Sequence, residues 1–146
     1  MAKGFDLEHA PGHLIRRAHQ RSVAIFMEET AEFDITPVQF AILNALIERP
    51  GEDQVTLAGR VAFDAATSGS VIGRLEAKGL IRRAADAADK RRKLLWVTPL
   101  GEQLAQQMRR TVRRVQNRIV NGLDRDEREQ LIALLHKLVL HADDAP

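Results

Sequence analysis

At 146 residues and 45% apolar content, the chain is long enough for one domain with a continuous buried core. It contains no cysteine, which excludes disulfides, thiolate nucleophiles, thiol redox sensing and Cys-ligated zinc. The net charge of +2 is divided unevenly: residues 1–55 carry five Lys/Arg against nine Asp/Glu, residues 56–98 nine against four, and residues 99–146 eight against seven.

In chain order, Pro11 to about Phe33 mixes Leu14, Ile15, Ala18, Ala24 and Ile25 with charges at helical spacing, predicting a long first helix. Thr36-Pro37-Val38-Gln39 is a start signal for a second, in which Phe40, Leu43 and Ile47 form a stripe until Pro50-Gly51 stops it. Thr56 is expected to start a short third helix with Leu57, Ala58 and Val61 inward. After a tight turn, Asp64 is expected to cap a fourth, running through Val71, Ile72 and Leu75 to a left-handed stop at Gly79. Leu80-Ile81-Arg82-Arg83 and Leu94-Leu95-Trp96-Val97 flank a polar stretch and predict a β-hairpin, with Trp96 as a packing residue. Thr98-Pro99 opens a fifth helix carrying Leu104, Met108, Val112, Val115 and Ile119, and Asn121-Gly122 ends it. Asp124 with Glu127 caps a sixth, marked by Leu131, Leu134, Leu135, Leu138 and Val139. The expected fold class is mainly α with a small β-hairpin wing (α+β). No uncharged apolar run of about 18 residues is present to span a membrane, and the first nine residues, with Lys3, Asp6 and Glu8, do not form an apolar leader, so the expected location is the cytoplasm.

Helix, tight turn, helix and basic hairpin is a winged helix-turn-helix order, in which the second helix of the pair fits the major groove of duplex DNA. On that helix the residues not needed for the core include Thr67, Ser68, Ser70, Arg74 and Lys78. The small hydroxyls near the N-terminus permit close approach to base edges, while Arg74 and Lys78 suit phosphate or guanine. The hairpin loop reads Asp86-Ala87-Ala88-Asp89-Lys90-Arg91-Arg92-Lys93. Its four successive cations suit a phosphate backbone and a narrow minor groove, and Asp89 suits holding Arg91 or the loop backbone in one geometry.

Thr56-Leu57-Ala58, Val71-Ile72-Gly73-Arg74-Leu75-Glu76-Ala77-Lys78-Gly79-Leu80-Ile81, Asp89-Lys90-Arg91 and Val97-Thr98-Pro99-Leu100-Gly101 together resemble the signature of the MarR family of transcription regulators, over about residues 36–101. The resemblance implies a triangular homodimer in which the first, fifth and sixth helices of two chains interlock. It also implies that the fourth helix reads the major groove and that Arg91 enters the minor groove. One departure stands out: Ser68-Gly69-Ser70 occupies positions where the family often has larger polar residues, so no operator sequence carries over. The corresponding division is a single unit over 1–146, a winged helix-turn-helix over 36–98, and dimerisation helices over 9–33 and 99–142. The apolar stripes of the terminal helices independently call for a second copy to cover them. A two-fold pair would set the reading helices roughly 34 Å apart, or a multiple of it, and so implies a palindromic operator.

The first helix carries His9, His13, Arg16, Arg17, His19 and Gln20, close to where the resemblance implies an effector pocket beside Phe40, Leu43 and Asn44. Such walls and donors suit a small aromatic carboxylate held by Arg16 or Arg17. The alternative is that these residues form surface salt bridges with Glu28, Glu29 and Glu32 of this or the other chain. His9 and His13, one helical turn apart, form a weak metal candidate, because no cysteine or carboxylate motif accompanies them. Arg109, Arg110, Arg113, Arg114 and Arg118 are expected to form a solvated face with inter-chain ion pairs. No cofactor or catalytic motif is legible, which disfavours an enzyme. Two functional expectations follow: a repressor of defined operators released by a small ligand, or an architectural DNA-binding dimer without effector.

Overall fold

The computed structural model describes residues 4–61 and 65–141, the side chains of residues 65 and 66 excepted. In chain order it contains α1 (Pro11–Glu29), α2 (Pro37–Glu48), β1 (Glu52–Asp53), α3 (Gln54–Val61), α4 (Ala65–Ala77), β2 (Ile81–Ala85), β3 (Lys93–Val97), α5 (Pro99–Ile119) and α6 (Arg125–Leu140), with short 3-10 turns at Leu7–His9 and Ala31–Phe33.

Capping chemistry places most of the helix ends. Thr36 accepts from the Gln39 N–H at 3.2 Å while the Gln39 side chain accepts from the Thr36 N–H at 3.1 Å, with Pro37 in the first turn. Asp124 and Glu127 repeat this capping box at the start of α6, at 2.9 and 2.8 Å. The end of α4 is a Schellman motif: Gly79 sits at φ +72°, its N–H reaches Glu76 O at 2.9 Å, and the Leu80 N–H reaches Leu75 O at 3.0 Å.

Two expectations need correction, the sheet gains a strand, and one expectation lies outside the described residues. The first helix stops at Glu29 rather than about Phe33. Thr30 turns both its N–H and its hydroxyl onto Phe26 O, a 3-10 turn follows, and Asp34 at φ 52° reverses the chain. The third helix starts at Gln54, because Asp53 caps it: the Asp53 carboxylate accepts from the Thr56 N–H at 3.0 Å and the Thr56 hydroxyl at 2.6 Å. The expected hairpin forms between β2 and β3, and β1 adds a third strand to give an antiparallel sheet of order β1-β3-β2, in which Glu52 and Asp53 pair with Leu95 and Leu94. Asp64, the expected cap of α4, is outside the described residues.

The core gathers Ile25 and Phe26 of α1, Ile35, Ile42, Leu43 and Leu46 of α2 and its approach, Leu57 of α3, Ile72 and Leu75 of α4, Leu95 of β3, and Met108 and Val115 of α5. Each of these larger side chains contributes about 1.5–3 kcal/mol through burial. Arg60 of α3 adds a polar strut, its guanidinium reaching Glu52 at 2.7 Å, Glu48 at 3.3 Å and Ala45 O at 2.6 Å, so that α3, β1 and the end of α2 are tied together. Helix α5 springs directly from the sheet. Thr98 donates its N–H to Leu80 O at 3.0 Å and its hydroxyl to Gly79 O at 2.6 Å, and accepts from the Gly101 N–H at 3.1 Å. The glycine at 101 permits this approach, since a Cβ there would overlap Leu80 O and meet Val97 Cγ1 at 2.6 Å.

Helix α6 buries none of its residues within the chain, and Ile132, Leu134, Leu138 and Val139 are each more than half exposed. Leu14 and Ile15 of α1 add to this apolar surface. Among the described residues, no helix is long and apolar enough to cross a membrane.

Candidate nucleic-acid interface

The period of α4 sorts its side chains into two faces. Ser68, Ile72 and Leu75 recur at i, i+4 and i+7 and are buried, whereas Thr67, Gly69, Ser70 and Arg74 face solvent. Ser68, at 4% exposure, therefore belongs to the inward face, and its expected contact with base edges is corrected on that ground. Lys78 is also committed elsewhere: its ammonium donates to Asp34 O and lies 3.4 Å from the Asp34 carboxylate, fastening the end of α4 to the connection between α1 and α2.

The wing register runs from Ile81↔Val97 to Ala85↔Lys93, so residues 86–92 form the loop. Two aspartates fold it. Asp86 accepts from the Ala88 N–H at 2.9 Å, and Asp89 accepts from the Arg91 N–H at 3.0 Å. Two backbone bonds of 2.9 Å, Asp86 N–H to Arg92 O and Arg92 N–H to Asp89 O, close the loop. Lys90 and Lys93 are exposed, and the Arg91 side chain is 97% exposed, with its Nε 3.8 Å from Asp89. Arg92 behaves differently: its guanidinium reaches Asp53 at 3.2 Å and Asp86 at 3.3 Å. The Thr56 hydroxyl and N–H, followed by Arg92, hold the Asp53 carboxyl down to about 2. At the base of the wing, Arg82 lies over the Trp96 ring at 4.1 Å from its centroid, and Gly51 at φ +79° leaves room for the indole. Trp96 thus packs.

The first-helix residues are spread along α1. His13 and Arg16 contact each other at 3.1 Å, and Arg16, Arg17 and Gln20 are exposed. Phe40 is half-buried with its ring 6.1 Å from that of Phe26, and Asn44 donates to Phe40 O at 2.8 Å. Leu43 is fully buried in the core, so its expected place in an effector pocket is corrected. Within the chain, Glu28 and Glu29 pair with α5 rather than with the first-helix cations. Arg114 reaches Glu29 at 2.7 Å, and Arg118 reaches Glu29 at 2.5 Å and Glu28 at 3.4 Å, with Arg114 first and Arg118 second in lowering the Glu29 pKa. Arg114 and Arg118 of the five α5 arginines are therefore paired with described residues of their own chain. Among the described residues, no group of three or more His, Asp or Glu is arranged to hold a metal ion.

Asp53 and Phe26 join these contacts without having been singled out in the sequence. Asp53 was the legible one, since an Asp three residues before a Thr, just ahead of an apolar helix, is a cap signal.

A helix whose outward face carries small hydroxyls and an arginine, set beside a cationic hairpin on a three-stranded sheet, defines a winged helix-turn-helix protein. The model of the MarR family matches residues 33–92. The chain is 30% identical over 135 residues to the HTH-type transcriptional repressor NicR of Pseudomonas putida, covering 92% of this chain and 85% of NicR. Its structure superposes with a TM-score of 0.88 on Bordetella bronchiseptica BpsR, a protein whose DNA binding is regulated by 6-hydroxynicotinic acid, at 34% identity over 94% of this chain and 98% of that one. The TM-score is also 0.88 for the PcaV transcriptional regulator of Streptomyces coelicolor in complex with its natural ligand, at 31% identity over 97% of this chain and 99% of that one. The chain belongs to the MarR family, and it is a transcription regulator rather than an enzyme.

Proposed function

We propose that two copies of this chain form a cytoplasmic repressor that binds a palindromic operator in double-stranded DNA and is released by a small aromatic carboxylate. In this division of labour, residues 36–98 contact DNA, while 9–33 and 99–142 pair the two chains. The uncovered apolar face of α6, together with Leu14 and Ile15, supports the pairing. The observation that carries the DNA-binding half is Arg91: almost wholly exposed, it stands on a loop whose backbone is fixed by Asp86 and Asp89. A cation presented this way suits the minor groove, with Thr67, Gly69, Ser70 and Arg74 directed to the adjacent major groove and Lys90 and Lys93 to phosphates.

The effector half rests on the donors His13, Arg16, Arg17 and Gln20 of α1, on Phe40 and Asn44 of α2, and on the regulation of BpsR by an aromatic acid. Arg16 or Arg17 suits a bidentate grip on a carboxylate. A ligand whose affinity differs by ~1–3 kcal/mol between two spacings of the reading helices changes DNA affinity about five- to 150-fold.

The test is fluorescence anisotropy on a duplex that the wild-type protein enriches from a randomised pool, with and without benzoate, salicylate or 6-hydroxynicotinate. Arg91→Ala is expected to weaken binding by ~1–3 kcal/mol. Equal affinity for enriched and random duplexes would overturn operator specificity, and absence of calorimetric heat with all three acids would overturn the aromatic effector.

A further inference from the structure

We infer that Arg92 is a positioning residue and not a DNA contact: it clamps the wing to the first turn of α3 and thereby sets where Arg91 reaches. The inference rests on the DNA-binding reading above and goes beyond it by separating two adjacent arginines of one basic run.

The geometry distinguishes them. Arg91 is 97% exposed and, among the described residues, has the Asp89 carboxylate 3.8 Å from its Nε. Arg92 is half as exposed and divides its guanidinium between two carboxylates, with one terminal nitrogen 3.2 Å from Asp53 and the other 3.3 Å from Asp86. Those carboxylates are themselves only 16% and 18% exposed, so the attraction acts where water screens it less than at the loop tip. A DNA phosphate arriving at Arg92 would be a third anion around one cation, and two carboxylates already outweigh its charge. Electrostatics therefore directs phosphate to Arg91, Lys90 and Lys93 instead.

The clamp also links separate elements. Arg92 closes the loop through its own backbone, receiving the Asp86 N–H and donating to Asp89 O. At the other end, Asp53 is the cap of α3 through Thr56 and is paired with Leu94 in the sheet. The loop, the sheet edge and the start of the helix-turn-helix thus meet at one guanidinium. A surface cleft lined by Asp53, Gln54, Val55, Arg91, Arg92 and Lys93 lies over that junction.

Two roles for Arg92 make opposite predictions in a salt series with the enriched duplex. Under the clamp, Arg92→Ala weakens binding about tenfold while the slope of log affinity against log salt stays that of the wild type. Arg92→Lys, which keeps the charge but cannot span both carboxylates, falls comparably. Asp53→Asn, which keeps a capping side chain, also weakens binding, and Arg92→Ala with Asp53→Asn is no worse than either alone. Under a phosphate contact, Arg92→Ala loses about 0.9 from the slope, Arg92→Lys retains most affinity, and Asp53→Asn tightens binding by removing a negative charge. Any of those three results, or unchanged affinity in Arg92→Ala, overturns the clamp. Circular-dichroism melting verifies that each variant is folded. A wild-type protein that enriches no duplex overturns the DNA-binding reading, and this inference with it.

Discussion

Gly101→Ala tests the junction between the sheet and α5, and there local propensity and tertiary packing give opposite signs. In an open helical position, glycine to alanine gains about 1 kcal/mol. Here the added Cβ would overlap Leu80 O and press on Val97 Cγ1. Leu80 O cannot simply retreat, because it accepts from the Thr98 N–H, and Thr98 is fixed in turn by its bonds to Gly79 O and the Gly101 N–H. Shifting the start of α5 breaks or stretches these three hydrogen bonds, each contributing about 1 kcal/mol, and adds a packing penalty of roughly 1–3 kcal/mol. Against the propensity gain, the net is a loss of about 3–5 kcal/mol. Urea denaturation at fixed protein concentration, followed by circular dichroism, reads it. Gly73→Ala in α4 is the control, since nothing lies within 4 Å of a Cβ there, and it is expected to be neutral or stabilising by up to about 1 kcal/mol. A Gly101→Ala protein as stable as wild type would refute the close-approach reasoning.

Stability should also fall in acid through Asp53. Its folded-state pKa of about 2 lies below the ordinary 3.8, so the carboxylate stabilises the fold fully above about pH 4 and loses that contribution as pH drops from about 4 to about 2. The urea midpoint of Asp53→Asn should vary less across that window than that of the wild type. In α6, Leu134→Glu with Leu138→Glu places charges on the uncovered apolar face, and analytical ultracentrifugation should then find monomer where the wild type sediments as a dimer. In the core, Leu57→Ala, at a fully buried position between the helices, should cost about 2–5 kcal/mol in the same denaturation assay.

Local chemistry wrote much of this fold into the chain. Thr36 with Gln39, Thr98 with Pro99, Asp124 with Glu127, and Gly79 each act on atoms within four residues, so their helix ends were legible without knowledge of the rest. The cationic loop was legible for the same reason. Other features depend on partners distant in sequence. Strand β1 has only two residues, too few for any alternation, and exists because β3 offers an edge. The direction of Ser68 was decided by its phase relative to Ile72 and Leu75, and that phase follows from how α4 seats on the core. Glu29 could take cations from α1 or α5, and only the crossing of those helices brought Arg114 and Arg118 to it. Within the run Lys90-Arg91-Arg92-Lys93 the sequence presents four similar charges. Folding separates them, because Asp53, 39 residues away, comes within 3.2 Å of one guanidinium while the neighbouring arginine is left in solvent.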